Sequence, residues 1–252
     1  MLEAGQIEPL NEIYKNAFNL LIGGQGQGKT YHSEELIAQN RHHFPVIKRF
    51  SPAGTNTGRA DSDGDINDLL QWLQGRAKDI EARKKDVHKA NILLRAVREG
   101  RPELLQKHNI NGNDVNVLLE KYPSLTEVSK IEPALILIDD MGGDRLLRDS
   151  NAIFNTAARQ LRHMHLTVIF NAHRFKDLPP LVRNNTQTLF LHGGLPYHDL
   201  KQIWDERGVP GMRKREELLQ AYERATGEDY GHLAIDFYGK KKNARSTQEG
   251  TA

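Results

Sequence analysis

The chain has 252 residues, 38% of them apolar and 27% charged, with a mean hydropathy of -0.64. No apolar run approaches the roughly 20 residues that cross a bilayer, and the polar, acidic N-terminus does not read as a secretion signal; a soluble protein is expected. The absence of cysteine excludes disulfides, thiolate metal sites and cysteine nucleophiles, and a net charge of +2 leaves any nucleic-acid contact to local patches.

Phe18-Asn19-Leu20-Leu21-Ile22 is a short apolar run of strand character. Gly23-Gly24-Gln25-Gly26-Gln27-Gly28-Lys29-Thr30 follows and fits the phosphate-loop pattern G-x-x-x-x-G-K-[ST]. Tyr31 to Gln39 is polar, with Leu36, Ile37 and Ala38 spaced for a helix. Strand, glycine loop and helix together form a phosphate site. The four glycines allow positive φ and a close approach of backbone to ligand. Successive N–H groups then converge at a helix N-terminus, where the dipole favours an anion. Lys29 faces the β- and γ-phosphates, and the Thr30 hydroxyl ligates Mg²⁺. Gly23 to Thr30 and the adjoining Tyr31 make up the nucleotide-binding set.

Pro45 to Phe50 reads as a second strand, closed by Ser51-Pro52. Residues 51–65 are turn-rich and read as a mobile loop. Residues 66–100 form a long helical pattern with Ile66, Leu73, Ile80, Val87 and Leu94 at seven-residue intervals. The companion positions are Leu69, Arg76, Arg83, Ala90 and Val97, so any coiled coil is weak. Another helical piece near 102–121 is interrupted at Asn111-Gly112-Asn113. Residues 66–128 are read as a basic helical insertion in a core made of 1–65 and 129–239. Its Lys84, Lys85 and Lys89 are either DNA contacts or a solvated face.

Ala134-Leu135-Ile136-Leu137-Ile138 is continuous enough for a strand buried on both faces. A helix is expected over 145–163, then a buried strand at 166–170. A short helix from Leu178 carries Arg183, and a strand follows at 188–191. Helices near 197–207 and 213–225 and a last strand at 232–238 complete the core. The tail 240–252 is basic, then polar, and reads as disordered. Alternating strands and helices imply an α/β fold: a mainly parallel sheet covered by helices on both faces.

Asp139 and Asp140 close the run 134–138, at the strand end where α/β folds bind ligands. One carboxylate of such a Walker B pair holds Mg²⁺ and the next polarises the attacking water. Asp139 is assigned to the metal and Asp140 to the base. Asn171, His173 and Arg174 stand at the end of the following core strand, within reach of a γ-phosphate or its water. His42, His43, His163 and His165 lack metal-ligand spacing, and no metal cluster is expected.

Three segments resemble one family: the loop GGQGQGKT, the strand ALILIDD, and Arg159-Gln160-Leu161-Arg162-His163 with LTVIFNAHR, LPPLVRNN and TLFLHGG. They resemble the viral genome-packaging ATPases of the FtsK–HerA superfamily, the poxvirus-type group, over roughly 15–50 and 132–240. The resemblance implies a RecA/FtsK–HerA-like P-loop NTPase fold, ATP and Mg²⁺ as cofactors, and subunits assembled in a ring. It implies that Arg162 acts as an arginine finger in the neighbouring subunit. The family carries glutamine in its sensor strand motif where His173 stands here; Asn171 is the other candidate. The resemblance further implies double-stranded DNA bound without regard to sequence, a capsid-vertex or membrane protein of the virion as partner, and a place in the virion or host cytoplasm.

The leading reading is therefore a ring-forming motor that couples ATP hydrolysis to DNA packaging into a preformed capsid. Loop 51–65, the insertion and Lys240-Lys241-Lys242 are the candidate DNA contacts. The alternative is a monomeric nucleoside or nucleotide kinase on a P-loop core, for which no arginine-rich lid is evident. A non-catalytic nucleotide-dependent scaffold is disfavoured by the presence of Lys29, Thr30, Asp139 and Asp140 together.

Overall fold

The computed structural model describes residues 9–10, 13–52, 64–122, 124–148, 152–239 and 245–246. Most of the expected loop 51–65, and Lys240 to Lys242, lie outside them. By internal packing the described residues divide into two units: those of 74–132, and those of 9–73 with 133–246.

The larger unit is built on one sheet. Its strands are β3 (Phe18–Ile22), β4 (Val46–Phe50), β5 (Ala134–Asp139), β6 (Leu166–Ala172), β7 (Thr186–His192), β8 (His232–Asp236) and β9 (Arg245–Ser246). Their order is β4-β5-β6-β3-β7-β8-β9. The first five in that order run parallel; β8 pairs antiparallel with β7, and β9 with β8. A two-residue hairpin, β1 (Pro9–Leu10) with β2 (Ile13–Tyr14), precedes the sheet.

The apolar runs explain this order. Every residue of β3 and β6 is buried, and β5 is buried up to Asp139. Strands that bury both side-chain faces belong inside a covered parallel sheet. The helix after the glycine loop, α1 (Lys29–Asn40), sets Leu36 and Ile37 into a core with Leu21, Leu135, Leu137, Ile169 and Phe190. Central strand β3 also buries one polar side chain, Asn19. Its Oδ1 accepts from the Tyr14 N–H at 2.8 Å and its amide donates to the Tyr14 carbonyl at 3.1 Å. A fully satisfied buried amide of this kind fixes where β2 lies against the sheet.

Of the expected helix over 145–163, the described residues hold α5 (Arg145–Arg148) and α6 (Ala152–Arg159), with 149–151 outside them. After α6 the chain turns through 161–165, with the His165 N–H donating to the Arg162 carbonyl at 3.2 Å. Arg162 is thus in an exposed turn before β6, not on a helix. Pro180 opens α7 (Pro180–Asn185), a position where its missing N–H costs no hydrogen bond. The remaining core helices are α8 (Tyr197–Arg207) and α9 (Arg215–Ala225).

The smaller unit holds most of α2 (Ile66–Glu99), with α3 (Glu103–Lys107) and α4 (Gly112–Lys121). The heptad positions are buried from Ile66 to Val87, but Leu94 and Val97 are 41% and 73% exposed, and Ile92 and Ala96 are buried instead. A straight helix of 3.6 residues per turn drifts out of a 3.5-residue register in this way. Asn111 caps α4 in a reciprocal capping box with Asp114. Much of the basic face is engaged within the unit. Lys84 pairs with Glu81, Lys89 with Asp114, and Arg83 donates to the Val128 carbonyl. No helix of the described residues is long and apolar enough to cross a membrane.

Candidate active site

The glycine loop leaves the C-terminal end of β3 and passes into α1. Two of its four glycines, Gly26 and Gly28, have positive φ, at 75° and 80°. Gly23 is required for closeness rather than rotation: a Cβ there would come within 2.6 Å of the His192 Cβ on β7. At Gly28 a Cβ would meet the Tyr230 ring at 2.9 Å.

Lys29 is buried, and its ammonium donates to the carbonyls of Gly23 and Gly24 at 2.9 and 2.8 Å. It lies 3.4 Å from the His173 Nδ1. An ammonium only donates, so Nδ1 accepts and the Nε2 of His173 carries the hydrogen. That Nε2–H donates to Asp140 Oδ2 at 2.9 Å. Lysine, imidazole and carboxylate thus form one chain across the loop, the end of β6 and the end of β5. Asp140 has a left-handed backbone, φ 59°, and its N–H donates to the Asn171 carbonyl at 3.2 Å. Such a conformation in a non-glycine residue at a pocket rim often accompanies function.

Asp139 sits below. Its Oδ1 accepts from the Asn171 amide at 3.0 Å, and its Oδ2 from the Thr30 hydroxyl at 3.3 Å. The same amide donates to Ser33 Oγ at 3.1 Å. Burial pushes the Asp139 carboxyl above its ordinary range and the neighbouring Asp140 charge adds to this, while the Asn171 and Thr30 hydrogen bonds and Lys29 pull it back. Burial likewise lowers Lys29, against the pull of Asp140 and Asp139. Burial therefore biases each group toward its neutral form, a kind of shift that clusters at functional sites.

A pocket of about 410 Å³ opens over these groups, lined by the loop from Gln25 to Tyr31, by Asp139, Asp140 and His173, and by Tyr230. Asn171 lies beneath the pocket floor, fully buried. Arg174 is turned away, toward Asp199 at 3.5 Å and His198 at 2.6 Å. Arg162 is at the other end of β6, about 20 Å of strand from the pocket. Two residues at the site carry no sequence signal. Ser33 is an ordinary helix serine until Asn171 reaches it, and Tyr230 follows a helix in a loop, 67% exposed with φ 62°.

No protein-family model and no curated protein matches the chain. Solved structures do. The genome-packaging NTPase B204 of Sulfolobus turreted icosahedral virus 2, in complex with AMPPCP, matches with a TM-score of 0.52 at 13% identity, over 90% of this chain and 96% of that one. Its complex with ATP-gammaS matches with a TM-score of 0.53 at 12% identity, over 93% and 97%. B204 of Sulfolobus turreted icosahedral virus, a DNA-packaging ATPase, matches with a TM-score of 0.50 at 12% identity, over 91% and 96%. The chain has the fold of the viral genome-packaging NTPases. At such identity the likeness fixes the fold alone, and chemistry rests on the side chains. In this fold the loop, Asp139, Asp140 and His173 share one edge of the sheet, and Arg162 stands at the opposite edge.

Proposed function

We propose that this protein is an ATPase that drives double-stranded DNA into a preformed viral capsid, working as a homo-oligomeric ring. The observation that carries the reading is the connected set of Lys29, Thr30, Asp139, His173 and Asp140 around one pocket. Its setting in a packaging-NTPase fold supports the choice of reaction.

Within that reading, the loop N–H groups and Lys29 bind the phosphates; Lys29 exchanges its two carbonyl partners for phosphate oxygens. The Thr30 hydroxyl and Asp139 carboxylate are hard oxygen donors 3.3 Å apart, a set suited to Mg²⁺. Thr30 and Asp139 would hold the ion, and when bound it would supply positive charge against the charge that develops on the phosphates. Asn171 positions Asp139. Asp140, with Oδ2 held by His173, takes the proton of the attacking water on Oδ1. His173 touches both Lys29 and Asp140, so we assign the sensor role to it rather than to Asn171. Tyr31 and Tyr230 flank the loop as surfaces for the base.

Arg162 supports the ring. Its end of β6 puts it too far to reach its own pocket, so a finger there works only on a neighbouring subunit. Backbone contacts to phosphates would give sequence-independent, salt-sensitive DNA binding. The deciding experiment measures phosphate release against protein concentration, with and without duplex DNA and with nucleosides as acceptors. A specific rate that rises with concentration and DNA is expected. A concentration-independent rate with a phosphorylated acceptor would replace the motor by a kinase.

A further inference from the structure

Behind the phosphate loop, three histidines from three elements converge. His32 lies on the first turn of α1, His192 ends β7 and His232 begins β8. One ligand nitrogen from each lies within 4.8 Å of the other two. His32 Nδ1 and His192 Nε2 are 3.1 Å apart. The other nitrogen of His192, Nδ1, is 3.0 Å from the Gln27 carbonyl in the phosphate loop. A carbonyl only accepts, so Nδ1 carries the hydrogen and Nε2 presents a lone pair to the cluster. A hydrogen bond from the outer nitrogen to a backbone carbonyl is the usual way a ligating imidazole is held in its metal-binding tautomer.

We propose that His32, His192 and His232 bind a divalent transition metal of the Zn²⁺ class, outside the nucleotide pocket. Three neutral imidazoles suit zinc and its neighbours and not Mg²⁺ or Ca²⁺, which take oxygen ligands. With Zn–N near 2.1 Å, ligand nitrogens of a tetrahedral site stand about 3.4 Å apart. His32 and His192 are already near that spacing: their Nδ1–H···Nε2 hydrogen bond gives way to the metal as the His32 proton moves from Nδ1 to Nε2. His232, half-buried and stacked on His192 at 5.2 Å between ring centres, must turn inward by rotation of its ring. A cavity of about 210 Å³ opens on the cluster and is lined also by Glu35 and Asp229. It gives an ion a path in, and a carboxylate or water for the fourth position. The three ligands are too far apart in sequence to form a spacing motif.

Such a metal ties the start of α1 to the ends of β7 and β8 and, through His192 and Gln27, steadies the loop that holds the phosphates. It is a structural site, so it is tested without nucleotide or turnover.

Tag-free protein is dialysed against Zn²⁺ or Co²⁺ in buffer lacking nucleotide, and bound metal is measured by mass spectrometry. About one Zn²⁺ per chain is expected, together with the intense visible absorption of four-coordinate Co²⁺. Zinc, but not Mg²⁺, should raise the melting temperature. His232→Gln, at the half-buried position, should remove all three effects, whereas His42→Gln should keep them. The proposal is overturned if the unaltered protein binds no zinc and its melting is unmoved, or if His232→Gln binds as much as the parent. The melting comparison of unaltered protein with and without zinc decides the matter even if a variant fails to fold. None of these readouts depends on ATP hydrolysis, so they stand or fall separately from the motor reading.

Discussion

Asn171 on β6 donates its amide to Asp139 on β5 at 3.0 Å, in register across adjacent parallel strands. The second amide hydrogen goes to Ser33 of α1, so one buried residue ties a carboxylate to the helix that follows the phosphate loop. Asn171→Ala leaves Asp139 oriented by Thr30 alone. Turnover should fall roughly 10–100-fold, as when an outer partner of a metal ligand is lost. The loss should appear as a higher Mg²⁺ requirement with ATP affinity nearly kept. A fall in rate with an unshifted Mg²⁺ titration would place Asn171 directly on the substrate.

Lys29→Ala removes the cation proposed to face the phosphates and the anchor of the chain through His173 to Asp140. Hydrolysis should drop to background and nucleotide affinity should weaken, since the lost charge acts in both ground and transition states. Equilibrium binding of a fluorescent ATP analogue and phosphate-release assays read the two effects. Normal turnover would refute the site.

Asp140→Asn keeps shape and loses the carboxylate proposed to accept the water proton. The rate should fall by about 10²–10⁴, with affinity within a few-fold of the parent. His173→Ala should give a smaller loss, because it frees the Asp140 oxygen without removing it. A collapse of affinity in Asp140→Asn would move the metal-binding role from Asp139 to Asp140.

The core strands and the nucleotide loop were legible because they are dictated locally. Phe18–Ile22 is bounded as the apolar run is, and β5 and β6 differ from the expected strands only by extending to Asp139 and Ala172. Those extensions bring Asp139 opposite Asn171, a pairing that alternation alone does not reveal. The helix expected over 145–163 ends at Arg159, and the chain then buries Leu161 and Met164 from a turn rather than from a helix. Gly23 showed only as a flexible residue, yet it is needed because β7 passes against it. Tyr230 and the cluster of His32, His192 and His232 depend on strand order, which no short pattern encodes.

Burial, with His32 and His232 as lesser causes, pushes the His192 imidazole down to about 3 from its ordinary 6.5. Between those values the unfolded chain holds a proton that the folded chain refuses, so stability rises with pH there. The contribution is fully present above about pH 6.5 and is lost on acidification toward pH 3, with a slope of at most about 1.4 kcal/mol per pH unit. Asp139, raised by burial, works in the opposite sense just above its ordinary range. Urea unfolding of metal-free, nucleotide-free protein from pH 7 to pH 5 should show the decline. His192→Phe should flatten it. An equal decline in that variant would assign it to other groups.

Arg162 gives the sharpest test of the assembly. It is exposed, precedes β6, and is separated from its own pocket by the length of that strand. A finger acts on charge that develops in the transition state, so Arg162→Ala should spare ATP affinity and cost roughly 10³–10⁵ in rate. Arg162→Ala and Lys29→Ala subunits should each be inactive alone. Mixed, some interfaces would join an intact phosphate loop to an intact arginine, and activity should partly return. That return should appear only at concentrations where subunits associate. A mixture shown to co-assemble, by cross-linking or mass photometry, but still without activity would remove Arg162 from the catalytic machinery, since its distance along β6 already keeps it from acting within its own subunit.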